Sequence, residues 1–218
     1  MKKVIIFDLD GTLLDTLDDL RMSVNFALSK YNYPLRTREQ VRKDIGNGVE
    51  MLMKRSVLHG FLDENYENCL SLFREYYRKN YNVYTHPYEG CNELLKKLSD
   101  EGYIVTVATN KIYSVAKDLL DTNYPGLFSY FQGDQKGIKK KPDPQMINEI
   151  IKHFDVTKDE IVYIGDTNVD EETALNANVT YGLVTYGYRT IEEIKKSCST
   201  TTLLHNVEDI YNFIKSLS

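Results

Sequence analysis

Residues 4–16 read VIIFDLDGTLLDT, an apolar run set directly against acids at Asp8 and Asp10 and then a glycine. Val4, Ile5, Ile6 and Phe7 show no alternation, the pattern of a strand covered on both faces. A carboxylate without a partner at the end of such a strand is costly. Either the strand runs out into water at Asp8, or the acids are held there for chemistry. Taken alone, Asp-Gly is also a common turn signal, and Asp before a helix a common cap.

Outward from this segment the pattern repeats. Apolar runs recur as YIVTVAT (103–109), EIVYIGD (160–166) and VTYGLVT (179–185), with a weaker TTLL at 201–204. Between or after them lie the amphipathic stretches GCNELLKKLSD, YSVAKDLLDTN, PQMINEIIKHF, EETALNAN and VEDIYNFIKSL. Strands alternating with helices predict βαβ units, hence an α/β fold with a doubly wound, mostly parallel sheet. From Asp15 to about Pro87 the alternation stops. Leu17, Leu20, Val24, Ala27, Leu28 and Tyr31 recur at three and four residues, predicting a long amphipathic helix that ends before Pro34. Helical patterns follow at 37–44, 49–58 and 64–80. A connection this long and this helical is a small inserted α-helical domain rather than a loop. The expected organisation is a core of 1–14 and 88–218 with a helical cap at 15–87.

A chain of 218 residues can bury a sizeable core. Its net charge of −5 argues against nucleic acid and anionic membranes as partners. The tyrosines around Tyr76 to Tyr84 are interleaved with Asn, Lys and Glu, a pattern of half-buried helix faces rather than a base-stacking platform. The three cysteines Cys69, Cys91 and Cys198 lie far apart without CxxC spacing, which argues for a reducing compartment and against a zinc site. The basic start MKK is followed only by VIIF before Asp8, too short for the apolar core of a signal peptide. The expected location is the cytoplasm, and the sequence leaves the oligomeric state unread.

In a parallel α/β sheet, ligands bind beyond the carboxyl ends of the strands. There the sequence sets Asp8 and Asp10, then Thr109 and Asn110, then Asp166 and Asp170. KKKPDP contributes Lys141 ahead of a Pro-restricted segment. Lys140 or Lys139 is an alternative within that run, although the KPDP pattern favours Lys141. Asp8, Asp166 and Asp170 in one cleft repel each other unless a cation is present. Mg²⁺ takes hard oxygen ligands and leaves room for substrate phosphate. Three carboxylates, Mg²⁺ and Lys141 sum to about zero net charge, a pocket open to a phosphate dianion. The histidines His59, His86, His153 and His205 show no metal-ligand spacing.

FDLDGTLLDT, ATNK, KKPDP and GDTNVD, in this order, resemble the four motifs of the haloacid dehalogenase superfamily of phosphatases, whose core is Rossmann-like. A helical insert after the first motif resembles the class with a C1-type cap. LDTLDDLRMSVNFALSKYNYP, IGNGVEMLMKRSV and VTYGYR resemble the phosphoglycolate phosphatase branch. The resemblance implies that Asp8 is the nucleophile and Asp10 the general acid/base, whose backbone carbonyl also touches Mg²⁺. It implies that Thr109 binds the phosphoryl oxygens and that Lys141 holds nucleophile and phosphate together. Asp166 would be a direct metal ligand, and Asp170 a ligand acting through water or through Lys141. A dehalogenase is disfavoured because that branch generally lacks an acid at the position of Asp10.

The expected activity is Mg²⁺-dependent hydrolysis of a small phosphorylated metabolite, with 2-phosphoglycolate favoured. A pyrophosphatase, a nucleotide 5'-phosphatase and a sugar-phosphate mutase share the chemistry. A phosphate-accepting signalling module is the reading from another class, although such modules are shorter and lack the insert. Asn110 is read as a substrate contact beside Thr109. In the insert, Gly46, Asn47 and Gly48 precede a helical pattern; they either aim backbone N–H groups at an anionic substrate or form a plain helix–helix turn. Arg55, with Lys54, is a candidate for gripping a substrate carboxylate. Arg189 in GYR has no assigned role.

Overall fold

The computed structural model describes residues 3–200 and 202–217. Met1 and Lys2 of the basic start and Thr201 of the last apolar run lie outside the described residues. The chain forms two compact units, Met1–Leu14 with Pro87–Ser218, and Asp15–His86. Pro87 therefore falls with the sheet rather than with the insert.

The first unit is built on β1 (Val4–Phe7), whose four side chains are fully buried. The chain leaves it through β2 (Leu14–Asp15) and returns through β3 (His86–Pro87). The remaining strands are β4 (Ile104–Ile112), β5 (Gln132–Asp134), β6 (Ile161–Gly165), β7 (Thr180–Val184) and β8 (Leu203–Leu204). Six of these make one sheet in the order β5-β4-β1-β6-β7-β8. Its pairings are parallel, with Val4 opposite both Ile104 and Ile161. The chain steps outward from β1 to one edge through β4, then to the other through β6. The switch point therefore lies at the carboxyl end of β1, where open sheets of this kind place their ligands.

The second unit is helical: α1 (Leu17–Ser29), α2 (Arg38–Asp44), α3 (Val49–Ser56) and α4 (Tyr66–Asn80). The apolar face of α1, with Leu20, Val24, Ala27 and Leu28 buried, packs against α4, in which Leu70 and Phe73 are buried. A capping box between Thr37 and Gln40 starts α2. Buried Asp19 accepts hydrogen bonds from Thr85 N (2.8 Å) and Thr85 Oγ1 (2.7 Å), tying the segment after α4 back to α1.

Among the described residues, six further helices belong to the first unit: α5 (Cys91–Asp100), α6 (Tyr113–Asn123), α7 (Gln145–Phe154), α8 (Asn168–Ala177), α9 (Ile191–Ser197) and α10 (Val207–Ser216). Val4 and Ile6 pack with Met146, Ile147 and Ile150 of α7 and Ala174 of α8. Burial of the β1 side chains contributes about 2 kcal/mol each. That anchors the strand firmly enough to carry an acid at its end.

Three elements differ from the sequence expectation. Gln132–Asp134 carries no apolar pattern and becomes a strand only by pairing with β4, Ala108 opposite Gln132 and Ile112 opposite Asp134. The helix Ile191–Ser197 follows a Thr190–Glu193 capping box, a signal the sequence does contain. The strand expected at 103–109 runs instead to Ile112, with a register irregularity between Ala108 and Ile112. Such irregularities re-aim side chains near sites, and this one carries Thr109, Asn110 and Lys111. Among the described residues, no helix is long and apolar enough to cross a membrane.

Candidate active site

The turn after β1 is held from several sides. Asp8 N donates to Ile164 O of β6 (2.8 Å), and Leu13 N and Leu14 N both donate to Leu9 O (3.0 Å each). Buried Tyr124 donates to Leu13 O (2.7 Å) and Tyr186 to Thr12 O (3.1 Å), which fixes the carbonyls of the turn. Gly11 adopts a positive φ of 88°, and a Cβ there would lie 2.3 Å from Asp166 Oδ2. Only glycine lets the chain leave β1 this close to a second acid.

Asp8, Asp166 and Asp170 are buried, with carboxylate oxygens within 4.8 Å of one another. Lys141 reaches into this group. Its Nζ donates to Asp170 Oδ1 (2.7 Å) and to the Tyr163 hydroxyl (2.9 Å), and lies 2.9 Å from Asp8 Oδ1. Lys140 pairs instead with Asp134 (3.0 Å) and Lys139 with Asp143 (3.3 Å), so of the KKK run it is Lys141 that serves the acids. Asp170 is saturated: Oδ1 also accepts from Tyr163 (2.8 Å), and Oδ2 accepts from Asp166 N, Thr167 N and Thr167 Oγ1. Asp166 Oδ2 accepts from Tyr188 N (2.7 Å), whereas its Oδ1 is buried without a hydrogen-bond partner.

The electrostatics follow from this packing. Burial pushes the Asp8 carboxyl up to about 7; Lys141 opposes the shift, while Asp170 and Asp10 add to it. Burial, then Asp170 and Asp8, hold Asp166 well above the usual carboxylate range, against the Tyr188 N–H and the charge of Arg189. Burial also works against the charge on Asp170, but Lys141 overcomes it and its carboxyl stays low. Burial works against the Lys141 ammonium too, yet Asp170 and Asp8 hold it well above the lysine range. One lysine thus leaves the three acids undercompensated. The orphaned Asp166 oxygen and the raised Asp8 fit a hard divalent cation, which hard oxygen donors of this kind bind.

Asp10 stands apart from the trio. Its Oδ1 accepts from Lys111 Nζ at 2.7 Å, so its side chain is not part of the metal-competent group. Thr109 is buried, and its Oγ1 accepts from Lys111 N (3.2 Å), which leaves the hydroxyl its own proton to donate. Asn110 binds the main chain of Lys141 at both ends of its amide: Oδ1 accepts from Lys141 N (2.7 Å) and Nδ2 donates to Lys141 O (3.0 Å). Asn110 thereby braces the lysine loop through both ends of its amide. Replacing Asn110 with Ala is expected to lower kcat about 10- to 100-fold with little change in KM, since loss of catalytic alignment is that costly. Steady-state kinetics alongside a melt would check it.

In the helical unit, Gly48 is the N-cap of α3 and Gly46 has φ 130°. Arg55 Nη1 donates to Asp44 O (2.6 Å) and Nη2 to Asn47 Oδ1 (2.9 Å). The guanidinium thus braces the turn that precedes its own helix. Sequence reasoning missed Tyr163, Lys111 and Thr167. Thr167 opens a capping box with Asp170, which TxxD spells in the sequence; Lys111 stood in the quoted ATNK without an assigned role, and Tyr163 carried no local signal.

The haloacid dehalogenase-like hydrolase family model matches residues 5–184. A phosphoglycolate phosphatase from Nitrosococcus oceani is 32% identical over 203 residues, 89% of each chain. One from Aliivibrio fischeri is 30% identical over 202 residues, again 89% of each. The crystal structure of a provisionally assigned phosphoglycolate phosphatase from Lactobacillus delbrueckii subsp. bulgaricus superposes with a TM-score of 0.90 at 29% identity, covering 98% of this chain and 99% of that one. The chain belongs to the haloacid dehalogenase-like hydrolases and is a hydrolase of their phosphatase type.

Proposed function

We propose that the protein hydrolyses a small phosphomonoester, 2-phosphoglycolate first among them, by Mg²⁺-dependent transfer of the phosphoryl group to Asp8. The observation that carries this reading is a buried carboxylate, Asp8, set between the Lys141 ammonium and Asp166 at the sheet switch point. Support for phosphoglycolate comes from the relatives at 32% and 30% identity.

In the first step an Asp8 oxygen attacks phosphorus and the bond to the leaving oxygen breaks, while Asp10 gives that oxygen its proton. In the second, Asp10 takes a proton from water, the water oxygen attacks phosphorus, and Asp8 is released. Thr109 donates its hydroxyl proton to a phosphoryl oxygen, and Lys141 holds Asp8 and the phosphoryl group together. Asp8 and Asp166 would hold Mg²⁺ directly with the Asp10 carbonyl, and Asp170 acts through Lys141. When bound, Mg²⁺ supplies fixed divalent charge against the phosphoryl oxygens. The helical unit is assigned the choice of substrate, and the free cysteines fit a cytoplasmic setting.

The test is phosphate release from a panel, 2-phosphoglycolate, pyrophosphate, a nucleoside 5'-phosphate and a hexose phosphate, with Mg²⁺ and with EDTA. Phosphoglycolate should lead by about tenfold or more in kcat/KM, a preference of about 1.4 kcal/mol. A lead by pyrophosphate or the nucleotide would overturn the substrate, and EDTA-resistant turnover would overturn the metal.

The raised acids also set the pH dependence of stability. Folded Asp8 keeps its proton up to about pH 7, whereas the unfolded group releases it near 3.8. Between those values the native state binds more protons, so stability in EDTA falls as pH rises from about 4 to about 7. The raised Asp166 acts in the same direction. Mg²⁺ at about 100 times its Kd is expected to raise the melting temperature at pH 7.5 by about 5 °C or more, and by less at pH 5. Thermal melts across pH, with EDTA and with Mg²⁺, check both.

A further inference from the structure

We propose that Lys111 is a specificity-determining residue that binds an anionic group next to the scissile oxygen of the substrate, a carboxylate in the favoured case. The proposal rests on the phosphatase reading above and deepens it. Lys111 lies in the irregular stretch of β4 and is only 6% exposed. Its ammonium is 2.7 Å from Asp10 Oδ1, and its main-chain N–H binds Thr109 Oγ1. Neutralising the acid trio is the task of Lys141, which contacts Asp8 and Asp170 directly. A second buried cation therefore sits on the side of the site where Asp10 works.

Geometry then places its reach. A general acid must come within hydrogen-bond distance of the oxygen it protonates. In 2-phosphoglycolate the carboxylate is borne by the carbon attached to that oxygen, so it lies beside Asp10. There it meets the negative charge of the attacking Asp8, which disfavours it unless a cation is at hand. Lys111 is that cation, already held by Asp10 at the required spot. An ammonium has three donors on a flexible stem and can rotate them between Asp10 and an incoming anion. Pyrophosphate presents the same chemistry, with its second phosphoryl group bonded to the bridging oxygen. A phosphomonoester with a neutral leaving group offers Lys111 no charge to bind.

The test compares wild type, Lys111→Met and Lys111→Arg on 2-phosphoglycolate, pyrophosphate and 2-hydroxyethyl phosphate, in which a hydroxymethyl group replaces the carboxylate. Loss of a charge-assisted contact predicts that Lys111→Met lowers kcat/KM for 2-phosphoglycolate about 30-fold more than for 2-hydroxyethyl phosphate. Lys111→Arg, which keeps the charge, should restore most of that difference. A matching fall with pyrophosphate extends the role to anions in general, and an unchanged pyrophosphate rate confines it to the carboxylate; both uphold the assignment. Equal losses on phosphoglycolate and hydroxyethyl phosphate, total loss included, overturn it, because Lys111 would then serve Asp10 alone. A full phosphoglycolate preference retained by Lys111→Met overturns it as well. A wild type without preference between those two substrates defeats the phosphoglycolate reading itself and this inference with it.

Discussion

Asp8→Asn is expected to lower kcat about 10⁴-fold or more while making the metal-free protein more stable at pH 8. The two effects have one cause. Asp8 is buried beside Asp166 and Asp170, and its carboxyl is pushed up to about 7. Above that pH the folded chain carries a charge that its surroundings disfavour by up to about 4 kcal/mol relative to the unfolded chain. Asparagine removes that charge and keeps the shape, so the melting temperature in EDTA should rise at pH 8. At pH 4 the rise should vanish, because the native carboxyl is already protonated there. An amide cannot replace the carboxylate as nucleophile, so turnover goes with the charge. A residue serving only the fold would show the opposite pattern, lower stability with activity lost in proportion. Kinetics and melts of one protein preparation separate the two.

Lys141→Met carries the second large effect, with the opposite sign for stability. Lys141 is the cation in contact with both Asp8 and Asp170, and it is itself buried. Removing one partner of a buried pair typically costs about 3–5 kcal/mol, because the remaining charge has nowhere to go. In a chain of this size that is a fall of about 10 °C in melting temperature. The loss should be smaller at pH 5 than at pH 8, since the stranded carboxylates can take up protons at the lower pH. A simple packing defect would cost the same at both. Adding Asp170→Asn should recover part of the stability and none of the activity. Turnover is expected to fall about 10³-fold, the scale of losing a preorganised charge at the reacting group.

Local pattern reveals some parts of this molecule and hides others for physical reasons. Val4–Phe7 and Ile161–Gly165 were legible because strands buried on both faces are apolar nearly throughout, and Thr180–Val184, only partly buried at Thr180 and Tyr181, from its Tyr, Leu and Val. Asp8, Thr109 and Asp166 could be set on one edge because a parallel sheet puts all its carboxyl ends together. The strand Gln132–Asp134 was not legible, since its pairing with β4 rather than its composition makes it a strand. Tyr163 looked like one more apolar strand residue. Only its hydroxyl, 2.9 Å from Lys141 Nζ and 2.8 Å from Asp170 Oδ1, shows that it ties the lysine to the acid. Asn110 stood next to Thr109 and was read as its companion. The partner that defines it, Lys141, is 31 residues away and met only in three dimensions. Lys111 was hidden in the same way, its partner Asp10 lying across the switch point at a separation of 101 residues.

The division of labour between Asp8 and Asp10 is tested most directly by Asp10→Asn with p-nitrophenyl phosphate and Mg²⁺. This leaving group needs no proton, so the first step survives, whereas the second lacks its base. The account predicts a burst of about one equivalent of p-nitrophenol per chain, followed by slow turnover. Peptide mapping after acid quench should find the phosphoryl group on the segment carrying Asp8. Linear release without a burst, or a phosphoryl group on any other residue, would contradict it.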